Sequence, residues 1–213
     1  MKHFLFDMDG LLLDTEWAWK KAIIIVFEEL VPRFDRSFFD HLSGKGIFDI
    51  TKEFIDNHQL EASSLEVGNE IVDMVINMFV ATPRIMLGAK EFVHKTKEKG
   101  ITCSLVSSSP RRVIDAFLKA SMMNDTFFSI TSGDDVESVK PAPDIYLKAI
   151  REIGVSEKDI IVFEDSIPGV LASKAAKLHT IKVNSENDFD MGQDHSFDSF
   201  LQIELNNIIG MSL

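Results

Sequence analysis

From residue 84 onward the chain alternates between short apolar runs and amphipathic segments. Ile101–Val106, Ile160–Phe163 and Thr180–Val183 are apolar runs rich in β-branched residues, each preceded by a helical or turn segment, and Phe127–Ile130 is a weaker fourth. Runs that are apolar on both faces suit strands of a parallel sheet covered by helices. A further run, Phe4-Leu5-Phe6, stands near the start. Between Thr15 and Pro83 the period changes. Trp19, Ile23, Val26, Phe27 and Leu30 form one stripe at helical spacing, and Val67, Ile71, Met74, Val75 and Met78 form another, with no convincing strand. A strand, a helical stretch and then regular alternation predict an α/β core over 1–14 and 84–213, with a helical insert over 15–83. Pro32 and Pro83-Arg84 break the pattern, the second marking the return to the core. The polar, acidic stretch from Asn184 to Asp194 reads as a loop, and a last helix is expected near Ser199–Ile209.

Composition narrows the function classes. At 213 residues, 45% hydrophobic and 26% charged, the chain is long enough to bury a sizeable core. A formal net charge of -12 argues against nucleic-acid binding, because nothing would offset repulsion from the phosphates. A small anionic substrate would need a local cation to draw it in. One cysteine excludes an internal disulfide framework. No apolar run approaches the ~20 residues that cross a bilayer, and no signal-peptide pattern opens the chain. The expectation is a soluble, cytoplasmic protein without membrane or nucleic-acid partners.

The candidate chemistry gathers where the pattern puts carboxyl ends of strands. In Phe6-Asp7-Met8-Asp9-Gly10 the strand is expected to end near Asp7, and Gly10 turns the chain so that both carboxylates reach one pocket. Crowded carboxylates are costly unless a cation or proton holds them, although the pair taken alone also fits a solvated turn. In Val106-Ser107-Ser108-Ser109-Pro110-Arg111, Ser109 suits an N-cap and Pro110 a first helical position. Free backbone N–H groups there would favour a phosphate, with the Ser107 hydroxyl as a further donor. Ordinary capping explains Ser109 and Pro110 but leaves Ser107 unused. Lys140-Pro141-Ala142-Pro143-Asp144 holds an ammonium on a stiffened loop, where a lone lysine would otherwise be a surface charge. The run Ile161-Val162-Phe163 ends in Glu164-Asp165, either as charges at a helix start or, with Asp7 and Asp9, as a shared Mg²⁺ site.

Taken in order, Asp-Met-Asp-Gly-Leu-Leu-Leu-Asp-Thr-Glu, Ser-Ser-Ser, Lys-Pro-Ala-Pro-Asp and Glu-Asp-Ser-Ile-Pro-Gly-Val resemble the haloacid dehalogenase-like phosphohydrolases. The likeness is greatest to the branch holding β-phosphoglucomutase and sugar-phosphate phosphatases. It implies a Rossmann-like core with an α-helical cap inserted after the first motif. It also implies roles. Asp7 would be the nucleophile that forms an aspartyl-phosphate, and Asp9 the acid and then base for the leaving alcohol and water. Mg²⁺ would be held by the Asp7 carboxylate, the Asp9 backbone carbonyl and Asp165, with Glu164 binding directly or through water. Ser107 and the Ser108 backbone N–H would grip phosphoryl oxygens, and Lys140 would neutralise charge beside Asp7. The expected substrate is a small phosphate monoester, a sugar or polyol phosphate, and the expected state a monomer.

Departures from the family pattern sharpen the reading. Mutase-like relatives carry a cap histidine shortly after the first motif, where this chain has Trp19, which favours a phosphatase. Trp19 also fits the apolar stripe, so its expected role is packing. A β-phosphoglucomutase-like isomerase is the rival enzyme, and an idle ligand-binding relative the rival of another class. Relatives carry an Ala-Gly-Met turn after the last motif, whereas this chain has Ala176-Lys177-Leu178. The loop His41-Leu42-Ser43-Gly44-Lys45-Gly46 matches the place where the branch contacts the leaving group. Gly44 would permit a tight turn there, and Lys45 would meet a hydroxyl or a second anion, or merely balance nearby acids.

Overall fold

The computed structural model describes residues 2–41, 45–183 and 190–211. Strand β1 (His3–Phe6) leads into helices α1 (Glu16–Leu30), α2 (Ile47–His58) and α3 (Ser64–Ala81). The chain then alternates through α4 (Ala89–Glu98), β2 (Thr102–Val106), α5 (Arg111–Ser121), β3 (Ile130–Thr131), α6 (Asp144–Ile153), β4 (Ile160–Glu164), α7 (Ile167–Ala175), β5 (His179–Val183), β6 (His195–Phe197) and α8 (Leu205–Ile209). Among the described residues the sheet has six strands in the order β3-β2-β1-β4-β5-β6, and every pairing is parallel.

Alternation along β1 and β4 sorts the core into two layers. Phe4 and Phe6 of β1, with Ile161 and Phe163 of β4, face one side, where Phe92 of α4 and Phe200 complete an aromatic cluster. The Phe6 and Phe163 rings stack with centroids 4.8 Å apart. Leu5, Ile160 and Val162 face the other side, against Tyr146 and Ala149 of α6 and Ala172 of α7. Continuing that alternation, Asp7 and Glu164 emerge at the strand ends on the face that α6 and α7 cover. The chain leaves β1 for its neighbour β2 on one side and β4 on the other, so the crevice above β1 is the switch point of the sheet. Open parallel sheets bind ligands there.

Helix α3 packs on α1 and α2, and also on α5. The incoming and outgoing segments of this helical stretch run side by side, with Asp14 N donating to Arg84 O at 2.9 Å and Met86 N to Leu12 O at 2.9 Å. Three details depart from the sequence reading. Strand β3 is only two residues long, because the apolar pair before it serves the approach to the strand: Phe127 packs on the core and Phe128 is 66% exposed. Strand β6 escapes the apolar pattern, since His195 and Ser196 are exposed at the sheet edge. The last helix is a turn over Phe200–Gln202 and then α8, separated at Ile203 and Glu204, whose backbone is extended.

Candidate active site

Four loops converge above β1, β2 and β4. Asp7 follows the last residue of β1 and is anchored by its own N–H to Phe163 O of β4 at 3.1 Å. Gly10 takes φ +79°, and a Cβ there would lie 2.0 Å from Asp165 Oδ2, so only glycine lets this turn pass beneath the second acidic loop. Gly169 does the same from below: its Cβ would lie 2.0 Å from the Glu164 carboxylate. The acids are therefore set by backbone that approaches closer than any side chain would permit.

Lys140 reaches into this cluster from the loop before α6 and is 5% exposed. Its ammonium is paired with Asp7 Oδ1, lies 2.6 Å from Glu164 Oε1, and donates to Val106 O at 3.0 Å. Glu164 is fully buried, and protein donors engage both of its oxygens. Tyr146 O–H donates to Oε1, while Asp165 N at 3.2 Å and Ser166 Oγ at 3.4 Å donate to Oε2. Ligand oxygens of Asp7, Glu164 and Asp165 all lie within 4.8 Å of one another. Three carboxyl groups share one ammonium, so all three ionise together only against strong mutual repulsion. Burial pushes the Asp7 carboxyl well above the ordinary carboxylate range; Lys140 pulls it back, and Glu164 and Asp9 push it further up. Asp165 is raised by burial and then by repulsion from Asp7 and Glu164. Burial alone would weaken the Lys140 ammonium, but Asp7 and Glu164 outweigh it and hold the charge on nitrogen. Burial and the Glu164 charge push the Tyr146 hydroxyl well up, so it remains a donor.

Asp9 stands beside the cluster and is held by hydroxyl and indole donors. Ser107 Oγ donates to Oδ2 at 3.0 Å, Ser109 Oγ to Oδ2 at 2.7 Å, and Trp19 Nε1 to Oδ1 at 3.2 Å. Trp19 thus does more than pack, which corrects the expectation. The serine loop also differs from the expected cap. Helix α5 begins at Arg111, with Pro110 in the N-cap position, because the Ser109 hydroxyl is committed to Asp9 and its N–H to Ser107 Oγ. Among the described residues the Ser108 hydroxyl oxygen is buried without a partner, and Ser108 lines a cavity of about 390 Å³ that opens beside Lys140. Lys45 lines the same cavity but is ion-paired to Glu53 on α2. Gly44 lies outside the described residues.

The structure therefore brings together Asp7, Lys140, Glu164 and Asp165, sets Asp9, Ser107 and Ser108 next to them, and keeps Lys45 at the cavity mouth. Sequence reasoning missed Tyr146 and Ser109 as partners of the acids. The signal for Tyr146 was available, since it is the chain's one tyrosine and sits on the buried stripe of α6, where a phenol needs an acceptor.

A profile of the haloacid dehalogenase-like hydrolases matches residues 4–183. The chain belongs to this family. Hexitol phosphatase B of Escherichia coli is 30% identical over 189 residues, covering 86% of this chain and 85% of that protein. (DL)-glycerol-3-phosphatase 2 of Arabidopsis thaliana is 30% identical, covering 85% of this chain and 78% of that one. The crystal structure of CbbY from Rhodobacter sphaeroides in complex with phosphate superposes with a TM-score of 0.84 at 25% identity, over 95% of this chain and 96% of that one. This haloacid dehalogenase-like hydrolase thus has phosphatases among its relatives along most of its length.

Proposed function

We propose that this hydrolase is a phosphatase of small phosphorylated metabolites, sugar or polyol phosphates, acting through a phosphoryl group carried on Asp7. The observation that carries the reading is the Asp7–Lys140 pair at the end of β1, ringed by Glu164 and Asp165 at the switch point of the sheet. Asp7 is the nucleophile, and Lys140 removes enough of its charge for a phosphate dianion to approach. Asp9 gives a proton to the departing alcohol and then takes one from water. Ser107 and Ser108, at the head of α5, grip phosphoryl oxygens: the Ser108 hydroxyl has no partner among the described residues, and the Ser107 hydroxyl turns from Asp9 Oδ2 to join it.

The residues present fit a Mg²⁺ ion. Among the described residues Asp165 Oδ1 is buried with no hydrogen-bond partner, and three carboxyl groups around one ammonium suit a hard dication. Asp7 and Asp165 would bind it with the Asp9 backbone carbonyl, and Glu164, already held by Tyr146 and Lys140, would steady the set. When bound, the metal supplies charge neutralisation for the phosphoryl oxygens. We read residues 15–83 as a cap over a core of 1–14 and 84–213, with its crossing at Asp14 and Arg84. In support, α1, α2 and α3 pack on one another, and α3 leans on α5 just behind the serine loop.

The test is phosphate release from sugar, polyol and nucleotide monophosphates, with Mg²⁺ and with EDTA, for the native chain and Asp7→Asn. Hydrolysis that needs Mg²⁺ and vanishes in Asp7→Asn is expected. Isomerisation of glucose 1-phosphate in place of hydrolysis, or substantial turnover by Asp7→Asn, would overturn the reading.

A further inference from the structure

Strands β5 and β6 run parallel, so their first residues lie together at the amino end of the sheet, opposite the catalytic acids at the carboxyl ends of β1 and β4. Both are histidines. The register pairs His195 with Ile181, and alternation sets His179 on the same face as Ile181, so the two imidazoles are diagonal neighbours on one face. Their ring centroids stand 5.4 Å apart, with the planes at 50°.

The surroundings of His179 decide what its ring can do. Its Nδ1 faces Asp194 Oδ2 at 3.6 Å, and that oxygen is itself fixed, accepting from Thr180 N and Lys174 Nζ, each at 2.7 Å. The negative charge favours the tautomer with its proton on Nδ1, which leaves the lone pair on Nε2. Nε2 is buried and, among the described residues, has no hydrogen-bond partner. Burial holds the ring below its ordinary 6.5. Asp194 opposes the shift while His195, Lys174 and Lys2 add to it, so near neutral pH His179 is uncharged. A neutral imidazole with an unanswered acceptor, a second imidazole beside it and a carboxylate behind it make up the donor set of a transition-metal site.

We propose that His179 and His195 hold a Zn²⁺ ion between β5 and β6, with Asp194 orienting His179 and water completing the coordination. The ring separation supports this. Two imidazoles on one tetrahedral Zn²⁺, with Zn–N about 2.0–2.1 Å, keep their centroids ~5.2 Å apart. Neutral nitrogen donors select this borderline dication over Mg²⁺, which suits the carboxyl groups at the other end of the sheet. Lys2 donates to Met211 O and Lys174 to Asp194, and their charge moderates the affinity. The ion ties the exposed three-residue edge strand β6 to its neighbour, a staple independent of the phosphatase reading.

Calorimetric titration with Zn²⁺ reads the site, in excess Mg²⁺ so that the carboxylate cluster competes little for zinc. His195→Ala is the decisive variant, because that residue is exposed at the sheet edge and its loss leaves the core untouched. His195→Ala and His179→Gln are each expected to weaken binding at least about tenfold, and Asp194→Asn about tenfold. With Zn²⁺ about tenfold above its dissociation constant, Tm should rise by ~3–5 °C more in the native chain than in His195→Ala. Anomalous scattering at the zinc edge, from crystals grown with Zn²⁺, should give a peak between the two rings. Equal Zn²⁺ affinity in the native chain and His195→Ala would overturn the proposal. So would a zinc peak at the catalytic acids with none at the histidines.

Discussion

Replacing Lys140 with methionine tests whether the acidic cluster is held by charge. Methionine keeps an unbranched stem of similar volume, so little of the outcome reflects a cavity. What disappears is the single ammonium between Asp7 and Glu164 and the donor to Val106 O. Removing one partner of a buried ion pair costs about 3–5 kcal/mol, because the charge left behind is neither solvated nor paired. The orphaned Val106 carbonyl adds about 1 kcal/mol at the lower end of the range for a buried unsatisfied group. We therefore expect a loss of about 5 kcal/mol, which at a urea m-value of ~2 kcal/mol/M moves the midpoint down by ~2.5 M. The assay is urea unfolding in EDTA near neutral pH. The pH dependence has a definite sign. Asp7 and Asp165 have raised pKa values in the folded chain, so their penalty is present above those values and disappears as pH falls through them. Loss of the ammonium raises them further, so the gap between native chain and variant should shrink on acidification toward the ordinary carboxylate range. A loss below about 1 kcal/mol, or a gap that widens with acid, would refute the argument that Lys140 stabilises buried charge.

Trp19→Phe removes the indole donor to Asp9 Oδ1 while keeping the ring in its apolar stripe. Steady-state kinetics should show kcat reduced about tenfold with KM nearly unchanged, and an unaltered kcat would mean that the contact is incidental. Lys177 holds φ 61° where relatives of the family carry glycine, so Lys177→Gly should stabilise the chain by ~0.5–1 kcal/mol in thermal unfolding. Destabilisation by that substitution would show that the lysine side chain outweighs the strain. Burial lowers His3 from the ordinary 6.5 to about 4, with its Nε2 against Ser104 Oγ at 2.9 Å. The unfolded chain takes up that proton first, so this contribution is complete above about pH 6.5 and fades as pH falls toward about 4. Between about pH 7 and about pH 5 the native chain should lose ~1–2 kcal/mol relative to His3→Gln, which cannot titrate; parallel pH profiles would contradict this.

The parallel core was legible because its strands are buried on both faces and so read as uninterrupted apolar runs. The same logic explains what was missed. Strand β6 has no such face, and its His195 and Ser196 are polar edge positions that look like loop. At the site, every residue whose type is unusual at a strand end was visible: Asp7, Asp9, Lys140, Glu164 and Asp165 all stand out against apolar neighbours. Ser109 was misassigned because the local rule for helix starts favours serine, and only the fold reveals that Asp9, a hundred residues earlier, claims its hydroxyl. Tyr146 sat in a buried stripe among apolar residues, where its hydroxyl signalled the need for an acceptor but not that the acceptor is Glu164. That Lys45 would balance a nearby acid was one of two readings, and only packing decides that it turns to Glu53 on α2.

The chain has two tryptophans, and both stand where the helical stretch meets the sheet. Trp17 donates to Asp14 O at 3.0 Å and lies under the Arg84 guanidinium at 4.3 Å, across the double crossing between the two segments; Trp19 touches Asp9 itself. Intrinsic fluorescence is therefore a local instrument in this protein. Parting of the crossing would expose Trp17 to water and shift its emission to the red, while a carboxylate turning away from Trp19 would relieve or alter quenching of that indole. Single-tryptophan variants would separate the two signals, so that any parting of the crossing and any turning of Asp9 could each be timed without an added label.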